Sequence, residues 1–154
     1  MAIIVLTLAV SSVFAQGTPR LSINIEEEKV NLTAAEAGGN TEILYMPGDT
    51  IRYALTASNV GDGLMTNAAV VNPVPGGVDY VAGTALGQEA AIVFSIDDGK
   101  EYQAWPVTYV TRNARGEEVT VEATADMITH VKWNIQRSLQ PGESVELEFK
   151  VEVE

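Results

Sequence analysis

The chain contains no cysteine. Disulfides, zinc–thiolate centres, iron–sulfur clusters and thiol catalysis are therefore excluded. Histidine is nearly absent too, with His130 the only one. Basic residues are scarce, nine against 21 acidic, and the formal net charge is −12. That balance repels phosphate backbones and anionic lipid, so neither nucleic acid nor a membrane surface is an expected partner of the mature protein. No Gly-x-Ser-x-Gly, His-Glu-x-x-His or phosphate-loop pattern occurs. No apolar run reaches the about 20 residues needed to span a bilayer as a helix.

What is present fits one globular domain. The chain has 154 residues, and 46 % of them are hydrophobic, enough for one sizeable core and too few residues for two ordinary domains. Residues 2–15 (AIIVLTLAVSSVFA) are uncharged and apolar or small. Val13 and Ala15 place small residues three and one positions before a cleavage point at Gln16, as in a secretory signal peptide. The usual initial Lys or Arg is missing. Two other readings fit the same residues: a buried core strand rich in β-branched side chains, and a retained hydrophobic N-terminal helix of the kind that builds pilin filaments. The sequence thus divides into a signal peptide (1–15), an N-terminal arm and loop (16–41) and a body (42–154).

From residue 20 onward the apolar pattern has period two. Leu21, Ile23 and Ile25 alternate with Ser22, Asn24 and Glu26, which predicts a half-buried strand within the arm Arg20–Leu32. Residues 33–41 read as a polar, Gly-rich loop. In the body, Ile51, Tyr53, Leu55 and Ala57 share one face. Val145, Leu147, Phe149, Val151 and Val153 do the same, with Glu146, Glu148, Lys150, Glu152 and Glu154 opposite. Turn chemistry at Pro47-Gly48-Asp49, Pro75-Gly76-Gly77, Asp97-Asp98-Gly99, Asn113–Gly116 and Pro141-Gly142 separates further short strands. The body offers no amphipathic helix. About eight to ten short strands predict an all-β antiparallel sandwich, with a barrel as the alternative.

An ordered set of motifs runs through residues 42–154. It comprises Pro47-Gly48-Asp49-Thr50-Ile51-Arg52-Tyr53, Asn59-Val60-Gly61-Asp62, Asn67–Asn72, Pro73-Val74-Pro75-Gly76-Gly77 and Tyr80–Thr84. It closes with Val131-Lys132-Trp133-Asn134-Ile135 and Leu139-Gln140-Pro141-Gly142-Glu143-Ser144. In order and spacing these residues resemble the repeat family called domain of unknown function eleven. The resemblance implies an Ig-like, Greek-key sandwich used in exported surface proteins of bacteria and archaea, and it brings no catalytic residues. Asn72 stands where that family usually has Asp before its Pro-x-Pro turn, which puts in doubt any ion bound through that acid.

Nothing in the sequence predicts an enzyme, a cofactor or a catalytic residue. A lone strand histidine without a partner is a surface or packed side chain. Asp97-Asp98-Gly99 and Asn59-x-Gly61-Asp62 could offer oxygens to a weakly held calcium, but calcium takes about six to eight and neither turn supplies a full set. No metal site is therefore assigned. Trp105 and Trp133 read as core or edge residues. Asn31-Leu32-Thr33 is a glycosylation sequon. The expected role is a secreted structural subunit that forms a homo-oligomer or filament by strand addition, with Leu21, Ile23 and Ile25 as the subunit-joining side chains. Two alternatives stand beside it: the arm is the first strand of its own sandwich, or the protein is a monomeric secreted binding or adhesion module.

Overall fold

The computed structural model describes residues 17–39 and 42–154. The predicted signal peptide and its cleavage point lie outside those residues. Among these residues ten strands, one α-helix of four residues and one 3-10 turn follow in order: β1 (Leu21–Lys29), α1 (Ala34–Ala37), β2 (Thr50–Asn59), β3 (Ala69–Pro73), β4 (Val78–Tyr80), β5 (Leu86–Gly87), β6 (Ala90–Ser95), β7 (Thr108–Arg112), β8 (Glu118–Glu122), the 3-10 turn (Ala125–Met127), β9 (His130–Ile135) and β10 (Ser144–Val153). The protein is an all-β antiparallel sandwich.

Its centre is the pair β2 and β10. Each alternates strictly, so each buries one face and wets the other. They run antiparallel with Leu55 opposite Leu147, Tyr53 opposite Phe149 and Ile51 opposite Val151. The rings of Tyr53 and Phe149 stack at 5.0 Å. β1 flanks β2 on one side, and β4 and β5 pair with β10 on the other. The second sheet has three strands, in the order β3-β9-β6. Aromatic contacts join the layers: Trp133 of β9 lies 6.0 Å from Phe149, and Tyr80 of β4 lies 5.3 Å from Phe94 of β6. Trp133 and Phe149 are fully buried, and burial of such a side chain stabilises by about 1.5–3 kcal/mol. The indole N–H of Trp133 donates to the Leu86 carbonyl at 3.0 Å, so its one polar group is satisfied.

β7 and β8 form a separate two-stranded hairpin. Its turn is closed by Asn113, whose Oδ1 accepts from the backbone N–H groups of Arg115 and Glu117. One sequence expectation needs correction. The segment after β1 is not loop throughout, because α1 forms within it. Thr33 and Glu36 make the reason visible: the Thr33 hydroxyl accepts the Glu36 N–H, and the Glu36 carboxylate accepts the Thr33 N–H. This reciprocal cap is written in the sequence as Thr-x-x-Glu.

Candidate functional site: the N-terminal strand and its seat

The three candidate joining residues lie on β1, and β1 sits on β2 of the same chain. The register places Leu21 opposite Asn59, Ile23 opposite Ala57 and Ile25 opposite Leu55. Directly opposed residues point to the same side of a sheet. Ala57 and Leu55 face the core, so all three candidates point inward. Yet only Leu21 is half-buried, while Ile23 and Ile25 are 41 % and 46 % exposed. β1 is the outermost strand of its sheet, and the opposite layer does not cover it there.

Both ends of β1 are fastened. At its start, Gly17 and Thr18 thread against the loop that follows β2. A Cβ on Gly17, Gly61 or Gly63 would come within 3.0 Å of backbone atoms across this contact, so the close approach requires glycine. Four hydrogen bonds lace it: Thr18 N–H to Asp62 Oδ1 at 2.6 Å, Asp62 N–H to the Thr18 carbonyl at 3.2 Å, Val60 N–H to the Arg20 carbonyl at 2.8 Å, and Arg20 N–H to Asn59 Oδ1 at 3.3 Å. Asn59 is fully buried. Its Oδ1 also accepts from Gly61 N–H, and its Nδ2 donates to the carbonyls of Gly63 and Leu139. One side chain thus fixes the loop, the last turn and the incoming strand.

At the other end Lys29 is only 5 % exposed. Its ammonium has three donors and three acceptors: Asp49 Oδ2 at 2.8 Å, the Leu44 carbonyl at 2.8 Å and Glu36 Oε1 at 3.0 Å. Hydrogen bonding to Asp49, then to Glu36, raises the Lys29 pKa. Glu36 is held down to about 2, chiefly by hydrogen bonds from the Thr33 N–H and hydroxyl and then by Lys29. Asp49 is lowered by Lys29 first and by the Met46 N–H next. The cluster therefore stays ionised across the neutral range. Asn31 braces it: its Nδ2 donates to Asp49 and its Oδ1 accepts the Thr50 N–H. Both ends of the sequon amide are in use.

Between these fastenings the connection is long. The Val30 N–H donates to the Thr50 carbonyl at 2.8 Å, so the end of β1 and the start of β2 touch. Residues 30–49 nevertheless join them, where two to five residues close an ordinary hairpin.

The other sequence candidates are accounted for locally. His130 opens β9, with Nδ1 3.1 Å from the Thr129 hydroxyl. Asp97 accepts from the Ser95 hydroxyl and from the Glu101 N–H, as a turn aspartate does. No group of three or more His, Asp or Glu side chains is arranged to hold a metal among the described residues. Trp133 is core, whereas Trp105 is 42 % exposed at the edge of the Phe94 ring. A groove of about 660 Å³ crosses the outer face of the large sheet. Its cations are already engaged, Arg52 by Glu148 and Arg137 by Glu89 and Glu143.

These features define a class: an all-β sandwich whose first strand is fastened at both ends and tethered by surplus chain. Compared with known proteins, the chain matches no family model, no curated protein and no solved structure.

Sequence reasoning found the strand but missed its fastenings. Lys29 closes a run of three glutamates and was given no role. Asn59, Gly61 and Gly63 read as turn residues. The Thr33-x-x-Glu36 pattern was the one local signal of the latch.

Proposed function

We propose that the protein is an exported structural subunit with an Ig-like sandwich, assembling into an extracellular filament or sheath by strand exchange. In this reading residues 1–15 direct export and are removed, and β1 of one copy occupies the seat on β2 of the next. The observation that carries it is the surplus connection: residues 30–49 join two strand ends that one hydrogen bond brings together. Connections this long inside a compact domain are commonly functional, and this one is long enough for β1 to leave its own seat and form the same fastenings on the next copy. A head-to-tail contact of this kind does not close on itself, so it propagates. The alternative of a monomeric binding module is favoured by one feature, the separate β7–β8 hairpin, which presents Val110 64 % exposed.

The test uses the absence of cysteine. Ser22 and Ser58 are directly opposed, a pairing that brings Cβ atoms to about 4.5–5.5 Å. The S22C/S58C variant is oxidised at high protein concentration and run on a non-reducing gel. Strand exchange yields a ladder of covalently joined chains. Disulfides confined to single chains at every concentration refute it and leave the monomeric module.

A further inference from the structure

Three charged side chains are crowded together at the end of β1 with little water. Those of Lys29, Glu36 and Asp49 are only 4 %, 8 % and 12 % exposed. Ions taken out of water lose much of their mutual attraction to desolvation. Turning the ammonium and one carboxylate into an amide, with release of water, removes two of those charges. The same exclusion of solvent protects the amide from hydrolysis.

The contacts are those such a condensation needs. Lys29 Nζ lies 2.8 Å from Asp49 Oδ2, beside the carboxyl group it would attack. Fixed contact of this kind stands in for the chemical activation that the reaction needs in solution. Each Asp49 oxygen has a donor besides Lys29: Asn31 Nδ2 on Oδ1 at 3.1 Å, and the Met46 N–H on Oδ2 at 2.7 Å. Those donors hold the negative charge that builds on the oxygens as the carbon turns tetrahedral. Glu36 Oε1 is 3.0 Å from the same Nζ. Its Oε2 is taken by the Thr33 N–H and hydroxyl, whereas Oε1 has, beyond Lys29, a long 3.4 Å bond from the Leu44 N–H. Oε1 is therefore the oxygen placed to take a proton from the nitrogen.

We propose that Lys29 and Asp49 join spontaneously through a side-chain amide, with Glu36 carrying the protons. The ionised cluster is the resting state. A proton passes from the Lys29 ammonium to Glu36, and the neutral amine adds to the Asp49 carboxyl carbon to form the C–N bond. Glu36 gives that proton to an oxygen of the tetrahedral carbon and relays a second from the nitrogen to the same oxygen. The C–O bond then breaks and the oxygen leaves as water. One ammonium and one carboxylate become one amide and one water, with no oxidant and no cofactor. Only the unjoined chain titrates through the Lys29–Asp49 pair. The bond does not rest on strand exchange: it seals β1 to whichever seat it occupies, within one chain in its own seat and between chains in a neighbour's.

Trypsin supplies the test, because it cuts after Lys and Arg and the segment from Arg20 to Arg52 holds only Lys29 between its ends. The purified protein is incubated folded, denatured, digested and weighed by mass spectrometry. Joined protein is expected to give residues 21–52 as one piece, lighter by one water, with fragmentation placing the link between Lys29 and Asp49. K29R and D49A should give no such piece. E36Q keeps the shape of the side chain but cannot take a proton, and its joined fraction should fall at least about tenfold over the same incubation. The wild-type mass decides the matter even where a variant fails to fold. Wild-type segments at full mass overturn the proposal. So does a link from Lys29 to Glu36, a water lost at Asp49 with Lys29 still cut, or equal joining in a folded E36Q protein. Disulfide ladders from S22C/S58C without loss of water overturn the bond and leave exchange. Joined peptides from a protein that forms only single-chain disulfides overturn exchange and leave the bond.

Discussion

Replacing Gly63 by alanine should loosen β1 from its seat while leaving the rest of the sandwich folded. A Cβ at this position would fall on the Gly17 carbonyl, which belongs to the backbone and not to a flexible side chain. The clash therefore has to be relieved by moving residues 17–20 as a unit. That movement breaks the four bonds of the seat: Thr18 N–H to Asp62 Oδ1, Val60 N–H to the Arg20 carbonyl, Asp62 N–H to the Thr18 carbonyl, and Arg20 N–H to Asn59 Oδ1. At about 0.5–1.5 kcal/mol of net stability for each bond, the loss is roughly 2–6 kcal/mol. Urea unfolding reads the total. Amide exchange of residues 18–24 against residues 144–151 reads its location, because local opening exposes only the amides it frees. Gly76→Ala is the control, since a Cβ there meets nothing within 4 Å. Unchanged exchange in β1 of the G63A protein would show that the slot does not hold the strand. Uniform loss of protection across both sheets would refute the claim that the seat opens separately from the core.

The latch at the other end makes a pH-dependent prediction. Glu36 and Asp49 both have folded pKa values below their ordinary ones, so their stabilising effect is present above the ordinary carboxylate range and lost as pH falls through the folded values. Lys29→Met should therefore destabilise by a constant amount from neutral pH to about 4.5, with the difference from wild type closing toward pH 2 in denaturation series. A difference independent of pH down to 2 would show that the ion cluster is not its source. Phe149→Ala removes a fully buried ring that stacks on Tyr53 and touches Trp133, and should cost about 3–5 kcal/mol in the same unfolding assay.

How far the sequence could be read depended on whether a feature is local. β2 and β10 were legible because ten residues of strict alternation leave one physical solution, a face in the core and a face in water. The β7–β8 hairpin was legible from its turn residues. β5 was not, since two residues carry no period. For β1, alternation told which face is apolar but not which edge it pairs with. It also gave no sign that Ile23 and Ile25 would stay uncovered, because that depends on how wide the opposite sheet is. Lys29 carried no local signal of its burial. It follows Glu26, Glu27 and Glu28, and its burial rests on Glu36 and Asp49, which the fold brings in from outside the strand. The glycines at 61 and 63 announced a turn, but the backbone that needs their missing side chains arrives from residues 17 and 18.

The surplus connection between β1 and β2 also sets a threshold. A flexible tether keeps its end near its origin at an effective concentration of about millimolar, and lengthening it weakens that advantage slowly, by about 0.6 kcal/mol for each doubling. A β1 strand that lets go in dilute solution therefore returns to its own seat. Under the proposed strand exchange, a foreign seat would compete only where neighbouring seats are crowded to a comparable density. The length of the connection over residues 30–49 would then make local density the trigger of assembly.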